Sequence, residues 1–147
     1  MYTSLAPLVG WMATLVVCAL AWVKGGAPER IGGIIVFASS VAALLIQLFL
    51  PAAKQSIPLL LGEGLIGLGF LILALRYASP WLGGAMLLQA IQFSLHAYYL
   101  VGEVPHDRTY AIVNNLDSLG VLICILIGTV QAWRRATPRS AVKPAAK

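Results

Sequence analysis

The residues of this chain that could do chemistry follow two apolar stretches in its C-terminal half. Along the first stretch, the polar side chains recur at steps of three and four residues, which places them on one face of a helix. They are Gln89, Gln92, His96, Tyr99 and Glu103. Along the second stretch, the polar residues that share a helical face are Tyr110, Asn114, Asp117 and Ser118. Carboxylates, amides and an imidazole on facing helices can bind a cation, relay protons or form a structural hydrogen-bond network.

A third apolar stretch carries a carboxylate of its own, in the sequence LLLGEGLIGLG. Glu63 lies between Gly62 and Gly64, and Gly67 follows one turn later on the same face. Small residues let neighbouring helices approach closely in lipid. At about 1.5 Å per residue, Glu63 lies about 9 Å below the end of its helix, at a level similar to that of His96 and Asp117. The three segments therefore predict one polar cluster.

The composition predicts where these segments reside. The chain of 147 residues is 60% hydrophobic and 10% charged, and its mean hydropathy is +0.88. A soluble domain is typically about 45–50% apolar and about 25% charged. A compact domain of this size could not hide so much apolar surface from water. We predict an integral membrane protein, in the inner (cytoplasmic) membrane of a bacterium.

Five segments approach the roughly 20 apolar residues that a spanning helix needs. We expect them at 2–23, 31–53, 57–78, 80–101 and 109–133. Short connections such as KGGAPER and PAAKQS separate them, so consecutive helices should pack as antiparallel neighbours. The predicted fold is an all-α bundle of five transmembrane helices over residues 1–136, followed by a basic, disordered tail at 137–147.

The basic residues predict the orientation of this bundle. With the C-terminus in the cytoplasm, eight of the ten Lys and Arg residues lie inside, and only Lys54 and Arg108 lie outside. This asymmetry favours an N-out, C-in topology. The formal charge of +5 then reflects topology and contact of the tail with anionic lipids, and it does not indicate a nucleic-acid partner.

A charged side chain at mid-bilayer costs at least about 2.5–3.5 kcal/mol on insertion scales, so such groups mark functional sites by default. The leading hypothesis is a channel or carrier for protons, a cation or a small polar solute. Five helices hardly enclose a wide path, so a homo-oligomer is expected. The residues predicted to bind or relay are Glu63, Gln89, Gln92, His96, Tyr99, Asn114, Asp117 and Ser118.

Two other functions remain open from the residues alone. One is a binding role, either as an accessory or assembly subunit of a larger membrane complex or as a lipid- or quinone-binding module. A quinone head would find donors in His96, Gln92 and Tyr99. The other is an intramembrane enzyme that pairs His96 with Asp117 or Glu63, which we disfavour because no enzyme motif is present.

No cofactor or metal is predicted. His96, Glu63 and Asp117 are ligand types, but no two of them have a ligand spacing on one helix. Haem held by two histidines is disfavoured because His106, the second histidine, falls in a loop.

Overall fold

The computed structural model describes residues 6–105 and 107–137 of the chain. Over these residues the protein is entirely helical and contains no strand, which confirms the all-α prediction and the number of helices. The helices are α1 (Ala6–Lys24), α2 (Ala27–Phe49), α3 (Ser56–Tyr77), α4 (Pro80–Val101) and α5 (Arg108–Ala136). A short 3-10 turn, Ala52–Lys54, lies between α2 and α3.

The five helices form a ring. Each helix packs against its neighbours in sequence, and α5 closes the ring by packing against α1. Because the connections are short, successive helices run in opposite directions. We call the end at which α1 begins the N-terminal end of the bundle, and the opposite end, at which α5 finishes, its C-terminal end.

The second helix begins earlier than the sequence predicts, at Ala27 rather than residue 31. Pro28 suits the first turn of a helix, and the Glu29 carboxylate accepts the Gly26 N–H at 2.9 Å, which satisfies an otherwise unpaired donor. The charged stretch GAPER therefore starts the helix, and the prediction that it separates two helices is wrong from Ala27 onward. The same helix ends at Phe49 rather than residue 53, because Pro51 forces Leu50 into an extended conformation.

Three helices are long and apolar enough to cross a membrane: α2, α3 and α5. The apolar part of α1 within the described residues, Leu8–Lys24, is shorter. The helix α4 does not reach the same hydropathy, since Gln89, Gln92 and His96 lie within it. Large apolar side chains are exposed on every helix of the ring, as Leu75 and Val101 illustrate.

The apolar core occupies the C-terminal half of the ring. Trp81 is 4% exposed and meets the Phe70 ring edge-on, with 6.5 Å between ring centroids. Glycines make room for this indole, since a Cβ on Gly32 or Gly128 would lie within 3.1 Å of it. The other buried apolar residues of this core are Val17, Ala21, Leu73, Leu82, Ala85, Val121, Leu122 and Ile125.

Candidate functional site

A cavity of about 300 Å³ lies in the N-terminal half of the ring, and residues of all five helices line it. Its wall holds seven of the eight residues that the sequence predicts for the site. They are Glu63, Gln89, Gln92, His96, Asn114, Asp117 and Ser118. The residues of this set come from α3, α4 and α5, whose polar faces meet at one level because the three helices are consecutive neighbours in the ring.

The α3 side of the cavity is held to α4 through Glu63. The Gln89 side-chain amide donates to the Glu63 carboxylate, and it also lies 3.4 Å from the Glu63 carbonyl oxygen. Gly67 lies beside this pair, and a Cβ there would be in ordinary van der Waals contact with Gln89 Cγ at 3.5 Å. A carboxylate of α3 and an amide donor of α4 therefore meet inside the bundle.

The α4 and α5 sides meet through Gln92, whose Nε2 donates to Asn114 Oδ1 at 2.6 Å. Gln92 Oε1 and Asp117 Oδ2 are buried and accept no hydrogen bond from any described residue. Their residues are only 4% and 5% exposed, respectively. Buried polar atoms normally have partners, so two acceptors without them beside one cavity favour a ligand that donates hydrogen bonds.

His96 is engaged through both of its ring nitrogens. Nδ1 lies 3.0 Å from the Gln92 carbonyl oxygen, and Nε2 lies 2.9 Å from the Tyr110 hydroxyl. A carbonyl can only accept, so in the neutral imidazole Nδ1 carries the proton and Nε2 accepts from the hydroxyl. The histidine is thereby held against the cavity wall.

Tyr99 is the predicted site residue that does not line the cavity. Its hydroxyl donates instead to Asp107 Oδ1 at 2.7 Å. The same oxygen accepts the Tyr110 N–H at 2.8 Å and caps α5. The Tyr110 N–H and the Tyr99 hydroxyl together hold the pKa of the Asp107 carboxyl below its usual value. Tyr99 therefore joins the end of α4 to the start of α5.

These bonds remove the donors that a quinone head was expected to use. Both nitrogens of His96, the Tyr99 hydroxyl and the Gln92 amide nitrogen already have partners within the protein. Ser118 likewise donates its hydroxyl to the Asn114 carbonyl at 2.8 Å. The two buried side-chain atoms of the wall that have no partner, Gln92 Oε1 and Asp117 Oδ2, are both acceptors.

The wall is acidic in composition. Glu63 and Asp117 are carboxylates, and none of the described lining residues is Lys or Arg. Within 6–105 and 107–137, no three His, Cys, Asp or Glu side chains gather closely enough to hold a metal ion. The arrangement suits a proton, a monovalent cation or a protonated amine.

The cavity is closed toward the C-terminal end of the bundle. The fully buried residues Phe70, Leu82 and Ile125 fill that half of the ring. Below them, Glu29 is 4% exposed and accepts a hydrogen bond from Trp81 Nε1 at 2.9 Å. Over the described residues, apolar side chains therefore separate the cavity from the C-terminal end of the bundle.

Sequence reasoning missed several residues around the cavity and below it. Thr14 of α1 and Ser39, Ser40 and Gln47 of α2 also line the wall. Thr14 and Ser40 donate their hydroxyls to carbonyls of their own helices. Glu29 was assigned to a loop, although its position three residues after Gly26 is that of a capping residue.

The predicted basic tail at 137–147 lies outside the described residues beyond Thr137. What the site does has to be derived from its own side chains, because no family model, no curated protein and no solved structure matches the chain.

Proposed function

We propose that the protein is an integral membrane carrier for protons or a small cation, with Glu63 and Asp117 as the binding carboxylates. Its five helices would all span the bilayer, with the N-terminus outside and the C-terminus in the cytoplasm of a bacterium. Three of the helices have the length and hydropathy for this, and apolar side chains cover the outside of the ring.

The observation that carries the proposal is the acceptor surface of the cavity. Asp117 Oδ2 and Gln92 Oε1 are buried without partners, and Glu63 adds a second carboxylate to the same wall. Burying such groups costs free energy unless something compensates them. A cation or a proton supplies this compensation, whereas an anion would add to the repulsion.

A carrier fits this pocket better than an open channel does. Conduction through a channel needs a continuous polar path, and Phe70, Leu82 and Ile125 fill the opposite half of the ring with apolar side chains. A bound cation would leave by that side only after these residues rearrange. A homo-oligomer would repeat this site rather than build it, because one chain supplies all of its walls.

A flux measurement in liposomes tests the proposal. Purified protein is reconstituted, a potassium diffusion potential is imposed, and proton or sodium entry is followed with an enclosed fluorescent indicator. We expect Glu63→Gln and Asp117→Asn each to lower the flux at least about tenfold, because each removes a charged partner of the cation.

The matched control is Glu103→Gln, which changes a carboxylate in the exposed turn after α4, outside the cavity. This variant should transport at the wild-type rate. Unchanged flux in the Glu63 and Asp117 variants, with wild-type unfolding temperatures, would remove both residues from any transport role. Foreign subunits that co-purify at fixed stoichiometry would favour the accessory-subunit alternative.

A further inference from the structure

We propose that the molecule bound at this site is a single-chain amphiphile with a protonated amine head. Its head would lie between Glu63 and Asp117, and its alkyl chain would lie in an apolar groove that adjoins the cavity. This ligand class rests on the proposed function of the cavity as a cation site. It goes further in stating that the cation is the head group of an amphiphile, whose alkyl chain lies in the groove.

The groove lies between the N-terminal half of α1 and the facing parts of α2 and α5, with a volume of about 510 Å³. Its apolar lining includes Val9, Trp11, Leu44 and Leu119. Val9 is 64% and Leu119 is 47% exposed, so the groove reaches the outer surface of the ring. An alkyl chain can therefore enter it from the side.

The groove and the polar cavity adjoin each other. Six residues line both of them: Thr14, Ser40, Ala43, Gln47, Ser118 and Leu122. Three of these shared residues, Ser40, Ala43 and Ser118, have small side chains, so little separates the two spaces. The two spaces together are polar and acidic at one end and apolar at the other. A cationic head group would suit the first end, and an alkyl chain would suit the second.

The chemistry of the wall selects the head group. A protonated primary amine has three N–H donors and one positive charge. Asp117 Oδ2 and Gln92 Oε1 are acceptors without partners, and Glu63 contributes a further carboxylate. A carboxylate or phosphate head would meet two like charges here. A quinone head, which offers only acceptors, would leave Gln92 Oε1 and Asp117 Oδ2 without a donor.

The volumes agree with a ligand of this kind. Small-molecule sites typically measure about 300–1,000 Å³, and most of their lining is apolar, with a few placed polar groups. The cavity of about 300 Å³ holds the polar groups, and the groove of about 510 Å³ supplies the apolar lining. Neither space alone has both properties.

Trp11 provides a direct readout because it lines the groove. The protein is placed in phosphatidylcholine nanodiscs and titrated with a long-chain primary amine that carries a doxyl spin label on its chain. Quenching of Trp11 is obtained by subtracting the signal of the Trp11→Phe variant. We expect quenching that saturates at one amine per protein. A fatty acid with the same labelled chain should give only the linear background of lipid contact.

Two pairs of variants test the binding of the amine head and the binding of the alkyl chain separately. Asp117→Asn should weaken amine binding at least about tenfold, since a charged hydrogen bond is lost. Glu103→Gln, outside the site, should not weaken it.

Ala43→Phe should abolish saturable quenching by filling the boundary between cavity and groove. Ala42→Phe, on the neighbouring position that lines neither space, should leave it intact. Matching unfolding temperatures for the two phenylalanine variants establish that both are folded.

The outcomes distinguish this inference from the proposed function. Equal quenching by the amine and the fatty acid means that the groove takes up bulk lipid, which overturns the inference. So does absence of quenching by both labels, which means that no labelled chain reaches Trp11. Either result leaves the proposed carrier function intact if flux still depends on Glu63 and Asp117. Saturable, Asp117-dependent amine binding without any proton or sodium flux supports the inference and overturns the carrier.

Discussion

Gly128→Ala should destabilise the bundle strongly, although it adds a single methyl group. The new Cβ would lie 2.5 Å from Trp81 Nε1 and 2.6 Å from Cδ1, whereas ordinary contact begins near 3.4 Å. To restore ordinary contact, Trp81 Nε1 would have to withdraw by about 0.9 Å, the difference between 3.4 Å and 2.5 Å. The indole is 4% exposed, meets Phe70 edge-on, and donates to Glu29 Oε1 at 2.9 Å, so it cannot move without losing these contacts.

The size of the effect follows from three terms. Overpacking a core costs about 1–3 kcal/mol. Leaving the Glu29 acceptor buried without its donor costs about 1–3 kcal/mol more. Replacing glycine by alanine within a helix returns about 1 kcal/mol. We therefore expect Gly128→Ala to lower the free energy of unfolding by about 1–5 kcal/mol.

The free energy of unfolding is measured in mixed micelles by titration with a denaturing detergent, with circular dichroism as the signal. Gly83→Ala is the control, because a Cβ there meets nothing within 4 Å. It should be neutral or stabilising by up to about 1 kcal/mol. In a Trp81→Ala background, Gly128→Ala should no longer destabilise. An equal loss with and without the indole would refute the steric explanation.

Three further predictions concern the ends of helices and the cavity. Ala78→Gly should raise the free energy of unfolding by about 1 kcal/mol, because Ala78 ends α3 in the left-handed region at φ 46°; an unchanged value in detergent titration would contradict this. Asp107→Ala should lower the unfolding temperature by removing the cap of α5, whereas Asp107→Asn should retain most of it. Since the folded pKa of Asp107 is lowered, its contribution is complete above its unfolded pKa of about 3.9 and is lost as the pH falls through the folded value; a wild-type unfolding temperature that lacks this acid-side loss relative to Asp107→Ala would contradict the assignment. Gln92→Met should lower the unfolding temperature, because it leaves Asn114 Oδ1 without its donor, and it should also lower cation flux in liposomes, because it removes the acceptor Gln92 Oε1; a lower unfolding temperature with unchanged flux would instead assign Gln92 to a structural network.

The helices were largely predictable because their signals are local. Runs of apolar residues, and the helix-breaking residues that separate them, can be recognised from neighbouring positions alone. Pro80, for example, begins α4 as the sequence indicates. The start of α2 was missed because a run of charged residues resembles a loop. Its capping interaction between Glu29 and Gly26 is also local, so that error lay in the interpretation rather than in missing information.

The polar faces were predictable for the same reason, whereas their partners were not. Steps of three and four residues place Gln92, His96 and Tyr99 on one face of α4. In the structure, His96 and Gln92 line the cavity, whereas the Tyr99 hydroxyl donates to Asp107 in the connection between α4 and α5. Which side chain finds which acceptor depends on how the next helix folds back, and periodicity within α4 contains no information about that.

The sequence by itself determined an all-helical chain with an apolar exterior and polar stripes on α4 and α5, because composition and helical period are properties of single segments. Only the tertiary structure decided that α5 closes the ring on α1, which places the groove lined by Trp11 next to the cavity. It also decided that the C-terminal half is filled, because the room beside Gly128 admits the Trp81 ring. Both outcomes depend on the shapes of residues far apart in sequence, and these shapes meet only when the helices pack.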